Sequence, residues 1–153
     1  MAHEKTGDPL IGTYYDHGQT LAILAASRPD IIKACAEAVL EGLGDVTVIS
    51  NRTGLAMLPF TDTVQNTAFH VGEVLIAEAH IRVVGHGVEG YGAVVGRDLE
   101  QAMAMAVIDA AVAGGHRTGQ ILEFLNAERC HQEETDRQRL KKVEATRVQM
   151  ETF

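Results

Sequence analysis

Residues 73–95 read Glu73-Val74-Leu75-Ile76-Ala77-Glu78-Ala79-His80-Ile81-Arg82-Val83-Val84, then Gly85-His86-Gly87-Val88-Glu89-Gly90, then Tyr91-Gly92-Ala93-Val94-Val95. The first twelve alternate with a period of two, and so predict a long strand with Leu75, Ala77, Ala79, Ile81 and Val83 on one face. Its other face is mixed: Val74 and Ile76 give way to Glu78, His80 and Arg82, a polar line suited to water or to a contact surface. The glycines turn the chain and Tyr91–Val95 returns as a second strand, an antiparallel hairpin.

Upstream, Val46-Thr47-Val48-Ile49 is short and β-branched, and Asn51-Arg52-Thr53-Gly54 has turn chemistry before Leu55-Ala56-Met57-Leu58. The expectation is another hairpin, followed by a polar loop over 61–67. Downstream, Asp98 caps a helix with Gln101 at the capping-box position. Leu99, Met103, Ala106, Val107 and Ala110 form its buried stripe until Gly114-Gly115 stops it. Toward the N-terminus, residues 20–26 suggest a short helix and Ser27-Arg28-Pro29-Asp30 the start of another. Its stripe is read as Ile31, Ala34, Cys35, Ala38 and Val39, up to Gly42 and Gly44. Helices and strands come in runs and not in βαβ units. The expected class is α+β, an antiparallel sheet of about four strands covered by helices, with a long charged C-terminal helix.

The chain has 153 residues, 46% hydrophobic and 22% charged, enough for one core without staples. The expected organisation is a poorly ordered leader at 1–17, one domain at 18–127, and a helical arm of the same domain at 128–153. Cys35 and Cys130 lack the spacing of a disulfide framework or a zinc site. Thirteen Lys and Arg against 21 Asp and Glu give a net charge of -8, the wrong sign for nucleic acid or anionic lipid. No apolar stretch near the start suggests export or a membrane span.

Gly85–Gly90 matches G-x-G-x-x-G, but a strand follows it where a dinucleotide loop needs a helix N-terminus. Glu78 and His80 share a face, two ligands where a metal needs more, and Arg97 beside Asp98 is the place where an anion could rest. No catalytic, cofactor or metal residue is expected in this chain. Between Glu128 and Glu151 six acids balance six bases, and few large apolar groups remain. Leu140, Val143, Arg147 and Met150 fall at i, i+3, i+7 and i+10, a sparse helical line read as a subunit interface.

From Thr53 onward the sequence resembles the PhnG family of carbon-phosphorus lyase subunits. The resemblance rests on the order of Thr53-Gly54-Leu55-Ala56-Met57, Gly72-Glu73-Val74-Leu75, Glu78-Ala79, Gly90-Tyr91-Gly92, Gly96-Arg97-Asp98, Ala102, Ala106, Asp109-Ala110 and Thr146-Arg147-Val148. It implies a cytoplasmic assembly subunit, acting with PhnI-, PhnH-, PhnJ- and PhnL-like partners, without a cofactor of its own. The step implied replaces the adenine of ATP by an alkylphosphonate, giving a ribose 1-phosphonate 5-triphosphate; the PhnJ subunit, an iron-sulfur and S-adenosylmethionine enzyme, later breaks the carbon-phosphorus bond. The residues alone leave two alternatives: a free-standing enzyme with a site near Glu78, His80 and Arg97, and a homo-oligomeric small-ligand binder. A homo-oligomer is also expected of the isolated chain, because its thin apolar stripes need a cover.

Overall fold

The computed structural model describes residues 9–148. The elements run α1 (Pro9–Tyr14), α2 (His17–Ala25), α3 (Pro29–Leu40), β1 (Val46–Thr61), β2 (Ala68–Val83), β3 (Val88–Val95), α4 (Leu99–Ala113) and α5 (Thr118–Ala145). The sheet is antiparallel in the order β1-β2-β3, and α4 lies across one face of β2 and β3. The α+β class is as expected, with three strands in place of about four.

The missing strand has a physical explanation. Asn51-Arg52-Thr53-Gly54 does not turn; it is paired with Ala79, Glu78, Ala77 and Ile76 inside one continuous β1. A long facing strand satisfies its backbone groups more fully than a local turn can. A bulge between Val48 and Ser50 absorbs the change of pattern that looked like a strand end. The chain reverses instead at Asp62, whose N–H donates to the Thr67 carbonyl and whose carboxylate accepts from the N–H groups of Val64 and Gln65. Gly85 and Gly87, both at positive φ, make the β2–β3 turn, so the G-x-G-x-x-G match is a hairpin.

Ala77, Ala79, Ile81 and Val83 of β2 are fully buried beneath α4, the face the alternation marked. Opposite them β3 carries Gly90 and Gly92. A Cβ on Gly90 would stand 2.0 Å from the Ala106 carbonyl oxygen, and one on Gly92 2.2 Å from that of Ala102. The strand thus meets the helix backbone to backbone. At that contact the buried Asp109 of α4 accepts the Tyr91 N–H (2.9 Å) and pairs with His17 (2.8 Å).

The N-terminal expectations change more. From Pro9 the leader is helical, and Ile11 and Tyr15 are buried in the core; the first eight residues lie outside the described ones. On α3 the buried stripe is Ile32, Ala36 and Val39, one step round from the expected line, leaving Ile31 exposed and Cys35 half-buried. Ser27 does not cap α3; its hydroxyl donates to the Ile23 carbonyl. At α4 Asp98 caps as expected, accepting from the Gln101 N–H, while the Gln101 side chain reaches Ser27 O.

Replacing Gly92 by Ala forces Cβ into the α4 backbone, and overpacking of this kind costs about 1–3 kcal/mol. We expect Gly92→Ala to lower the melting temperature by roughly 3–10 °C. Gly54→Ala, where nothing stands within 4 Å, leaves it within about a degree. Equal melting of the two variants in a calorimeter would contradict this account of the contact.

Candidate functional site

The sheet face turned away from α4 carries a belt of charged groups. Register sets Arg52 opposite Glu78, His80 opposite Tyr91, and Arg82 opposite Glu89. Glu78 accepts from Arg52 Nε and, at 2.9 Å, from the Tyr91 hydroxyl. Glu89 accepts from Arg82 at 2.7 and 3.0 Å and meets His80 Nε2 at 2.8 Å. Arg52 first, and then Tyr91, hold the Glu78 carboxyl below its ordinary value. Arg82 and then His80 do the same for Glu89. These carboxylates are fixed as charged hydrogen-bond acceptors, in neither case poised to exchange a proton near neutral pH.

Arg97 does not join them. It stands exposed in the loop between β3 and α4, past the last sheet pair of Ile76 with Val95. Asp98 beside it is occupied by Lys33 Nζ at 2.9 Å as well as by its capping bond. The anion-resting place is thus a helix cap bridged to α3. Among the described residues no three His, Cys, Asp or Glu gather to hold a metal. Burial pushes the Cys35 thiol up to about 11, so it is protonated at neutral pH. An open, shallow groove lies between α3, α4 and β1, lined by Lys33, Ala36, Leu40, Asn51, Leu99 and Met103.

The C-terminal helix divides into two parts. Its first half is docked: Asn126 accepts from the Tyr15 hydroxyl, Arg129 stacks over the Tyr15 ring, and Gln132 donates to Ile23 O. Between them Glu128 is fully buried and accepts from the Arg28 backbone N–H (3.0 Å) and the Arg28 guanidinium. Glu128 therefore ties Arg28, the residue that precedes α3, to α5 from 100 residues away. Sequence reasoning counted it only as one more acid of the arm. From Glu133 to Val148 every residue is exposed, held by pairs such as Glu134 with Arg137. The exposed part of α5 thus starts at Glu133.

Of the expected interface line, Leu140 and Val143 are exposed on α5, 67% and 61%. The helix ends at Ala145 with Thr146 as its cap. Arg147 therefore lies past the helix, paired with Glu144, and Met150 falls outside the described residues. The reason for the helix end is local: Thr146 turns its hydroxyl back to the Val143 carbonyl, and the side chains of the last turn are exposed.

A family model described as phosphonate metabolism protein PhnG matches residues 17–153. The chain belongs to the PhnG family. It is also 30% identical over 129 residues to a Stutzerimonas stutzeri protein, HtxH, provisionally described as a C-P lyase subunit protein. That match takes in 77% of this chain and 34% of the relative, so the chain spans about a third of the relative's length. Its family assigns the PhnG chain a role in phosphonate metabolism. Most of the PhnG-like words collect at two places in the fold. Gly90-Tyr91-Gly92, Ala102, Ala106 and Asp109-Ala110 make the strand–helix contact. Thr53–Met57 and Gly72–Leu75 face each other across the β1–β2 ladder. No helix of the described residues is long and apolar enough to cross a membrane.

The Glu128–Arg28 pair gives this PhnG chain an acid-sensitive joint. Burial works to raise the Glu128 carboxyl, and the hydrogen bonds and charge of Arg28 outweigh it, leaving it below its ordinary 4.5. A carboxyl lowered by folding stabilises fully above 4.5, and that stabilisation is lost as the pH falls through the lower folded value. We expect Glu128→Gln to cost about 1.5–3 kcal/mol at pH 7, the worth of charged hydrogen bonds, and the difference from wild type to shrink below pH 4.5. Arg28→Ala falls further at pH 7, because it strands a buried carboxylate, whereas the half-exposed Arg28 side chain can return to water. Urea melts across this range check both the order of the variants and the sign of the pH trend.

Proposed function

We propose that this chain is a non-catalytic assembly subunit of a carbon-phosphorus lyase core complex, working in the cytoplasm. It is needed for the step in which an alkylphosphonate displaces adenine from ATP, giving a ribose 1-alkylphosphonate 5-triphosphate. Its partners are PhnI-, PhnH-, PhnJ- and PhnL-like subunits, and it brings no cofactor of its own. The match to PhnG over residues 17–153 carries this reading. The outer belt supports it: Glu78 and Glu89 are committed to Arg52, Tyr91, Arg82 and His80 across a sheet face. Such a face can present fixed charges to a partner. An ATP site, by contrast, calls for cations aimed at the phosphates, and this chain has a net charge of -8.

Incubated with ATP and an alkylphosphonate, the purified chain is expected to release no adenine. A mixture of the partner subunits is expected to release it only when this chain is added. Adenine release by the chain alone, measured by liquid chromatography, would refute the non-catalytic reading.

The free half of α5, with Leu140 and Val143, together with Arg147 and Met150 beyond it in the sequence, is the proposed interface of the arm. A chain ending at Gln132 keeps Glu128 and every bond that docks α5, and is expected to melt within about 2 °C of wild type. Capture of the partner subunits by that shortened chain, or by Leu140→Asp with Val143→Asp, is expected to fall at least about tenfold. Undiminished capture by both would make the arm a solvated helix and no interface.

A further inference from the structure

Beyond Ile76 the sheet loses its third strand. The β2–β3 ladder ends at Ile76 with Val95, but β1 and β2 continue for seven more pairs, from Leu55 with Leu75 to Thr61 with Ala68. The result is a two-stranded ribbon on the order of 20 Å long. Nearly all of it is exposed, including Leu55, Met57, Leu58, Phe60, Phe69 and Val71. Near the tip Phe60 meets Phe69 edge-on, ring centres 5.5 Å apart, and both stay about half exposed. A lone two-stranded ribbon is marginal in water, since it has no third strand or helix to cover a face.

The open surface calls for a protein-sized cover: Leu55, Met57, Leu58, Phe60, Phe69 and Val71 are each 46–64% exposed, and one protein contributes about 800 Å² to a standard interface. A monomer's largest apolar patch is about 300–600 Å². Charge says what kind. From Thr53 to Ile81 there is no Lys or Arg, while Asp62 and Glu73 sit on the ribbon. Asp62 is held ionised by the N–H groups of Val64 and then Gln65. Two copies of this ribbon would set acid against acid in a chain already at -8.

Resting on the assembly reading above, we propose that the 55–75 ribbon is the anchor by which this chain seats itself in its complex. It inserts into an apolar cleft, rimmed by Lys or Arg, on a different subunit. The free edge of β1 offers that subunit unpaired backbone groups for strand addition, and alternate side chains fill the cleft. The mixed sheet face and the α5 arm then lie outside this primary contact.

The test co-expresses the full chain with tagged PhnH-, PhnI- and PhnJ-like subunits as a defined set. Wild type is compared with Leu55→Asp/Leu58→Asp and with Glu73→Lys. Because Leu55, Leu58 and Glu73 are exposed, both variants are expected to melt within about 2 °C of wild type. Capture by a tagged subunit is expected to fall at least about tenfold for the apolar pair. The charge reversal at Glu73 is expected to weaken capture less and to make it less sensitive to added salt. Wild-type capture matched by both variants overturns the ribbon while leaving the assembly reading intact. No capture of wild type by any of the three overturns both. A wild-type dimer in light scattering that the apolar pair converts to monomer overturns the ribbon proposal in favour of a second copy.

Discussion

Everything in this fold is positioned by the approach of α4 to β3. Gly90 and Gly92 bring the strand so near that the carbonyls of Ala106 and Ala102 occupy the space where side chains would be. At that range dispersion contacts run along both backbones, and Asp109 can reach round to take the Tyr91 N–H. At the outer edge of β3 the Tyr91 N–H is thereby taken by Asp109, while β1 forms the other edge of the sheet. One face of the sheet becomes core and the other stays in water. The separation of structural from interacting surface follows from this contact.

A second joint, buried and ionic, ties the ends of the chain together. Glu128 is desolvated on α5 and reaches the first N–H of the α3 start and the guanidinium of Arg28. A buried ion pair adds little net stability when compared with apolar packing, but it tolerates the loss of neither partner. Such a pair fixes where α5 lies against α2 and the link that leads into α3. Among the described residues past Gln132 no comparable bond is seen, and the helix continues on local i,i+3 and i,i+4 pairs.

The molecule therefore offers three outward features of different chemistry: the charged belt over Glu78 and Glu89, the free end of α5, and the apolar ribbon beyond Ile76. The belt satisfies its own charges. The arm is polar, with Leu140 and Val143 as isolated apolar groups. The ribbon alone concentrates uncovered apolar surface, and so it carries the largest hydrophobic incentive for association. In the assembly proposed above, such surfaces have a use.

The residues determined what depends on periodicity and local steric rules. The alternation of 75–83 gave the buried face of β2, Gly85 and Gly87 gave the hairpin, and Asp98 with Gly114 gave the bounds of α4. The ordered words from Thr53 to Val148 gave the family. Tertiary structure decided whatever required a partner distant in sequence. Asn51-Arg52-Thr53-Gly54 has turn chemistry of its own, and only the ladder with β2 makes it a strand. Ile11 and Tyr15 look like a loose leader until α5 offers them a wall. Glu128 is one acid among six until folding sets it against Arg28. The α3 stripe could be placed one residue out because Ile31 and Ile32 are equally apolar, and the neighbours alone select which is buried. Local propensities amount to fractions of a kcal/mol per residue, while burial and paired charges amount to several, so the long-range contact prevails wherever the two disagree.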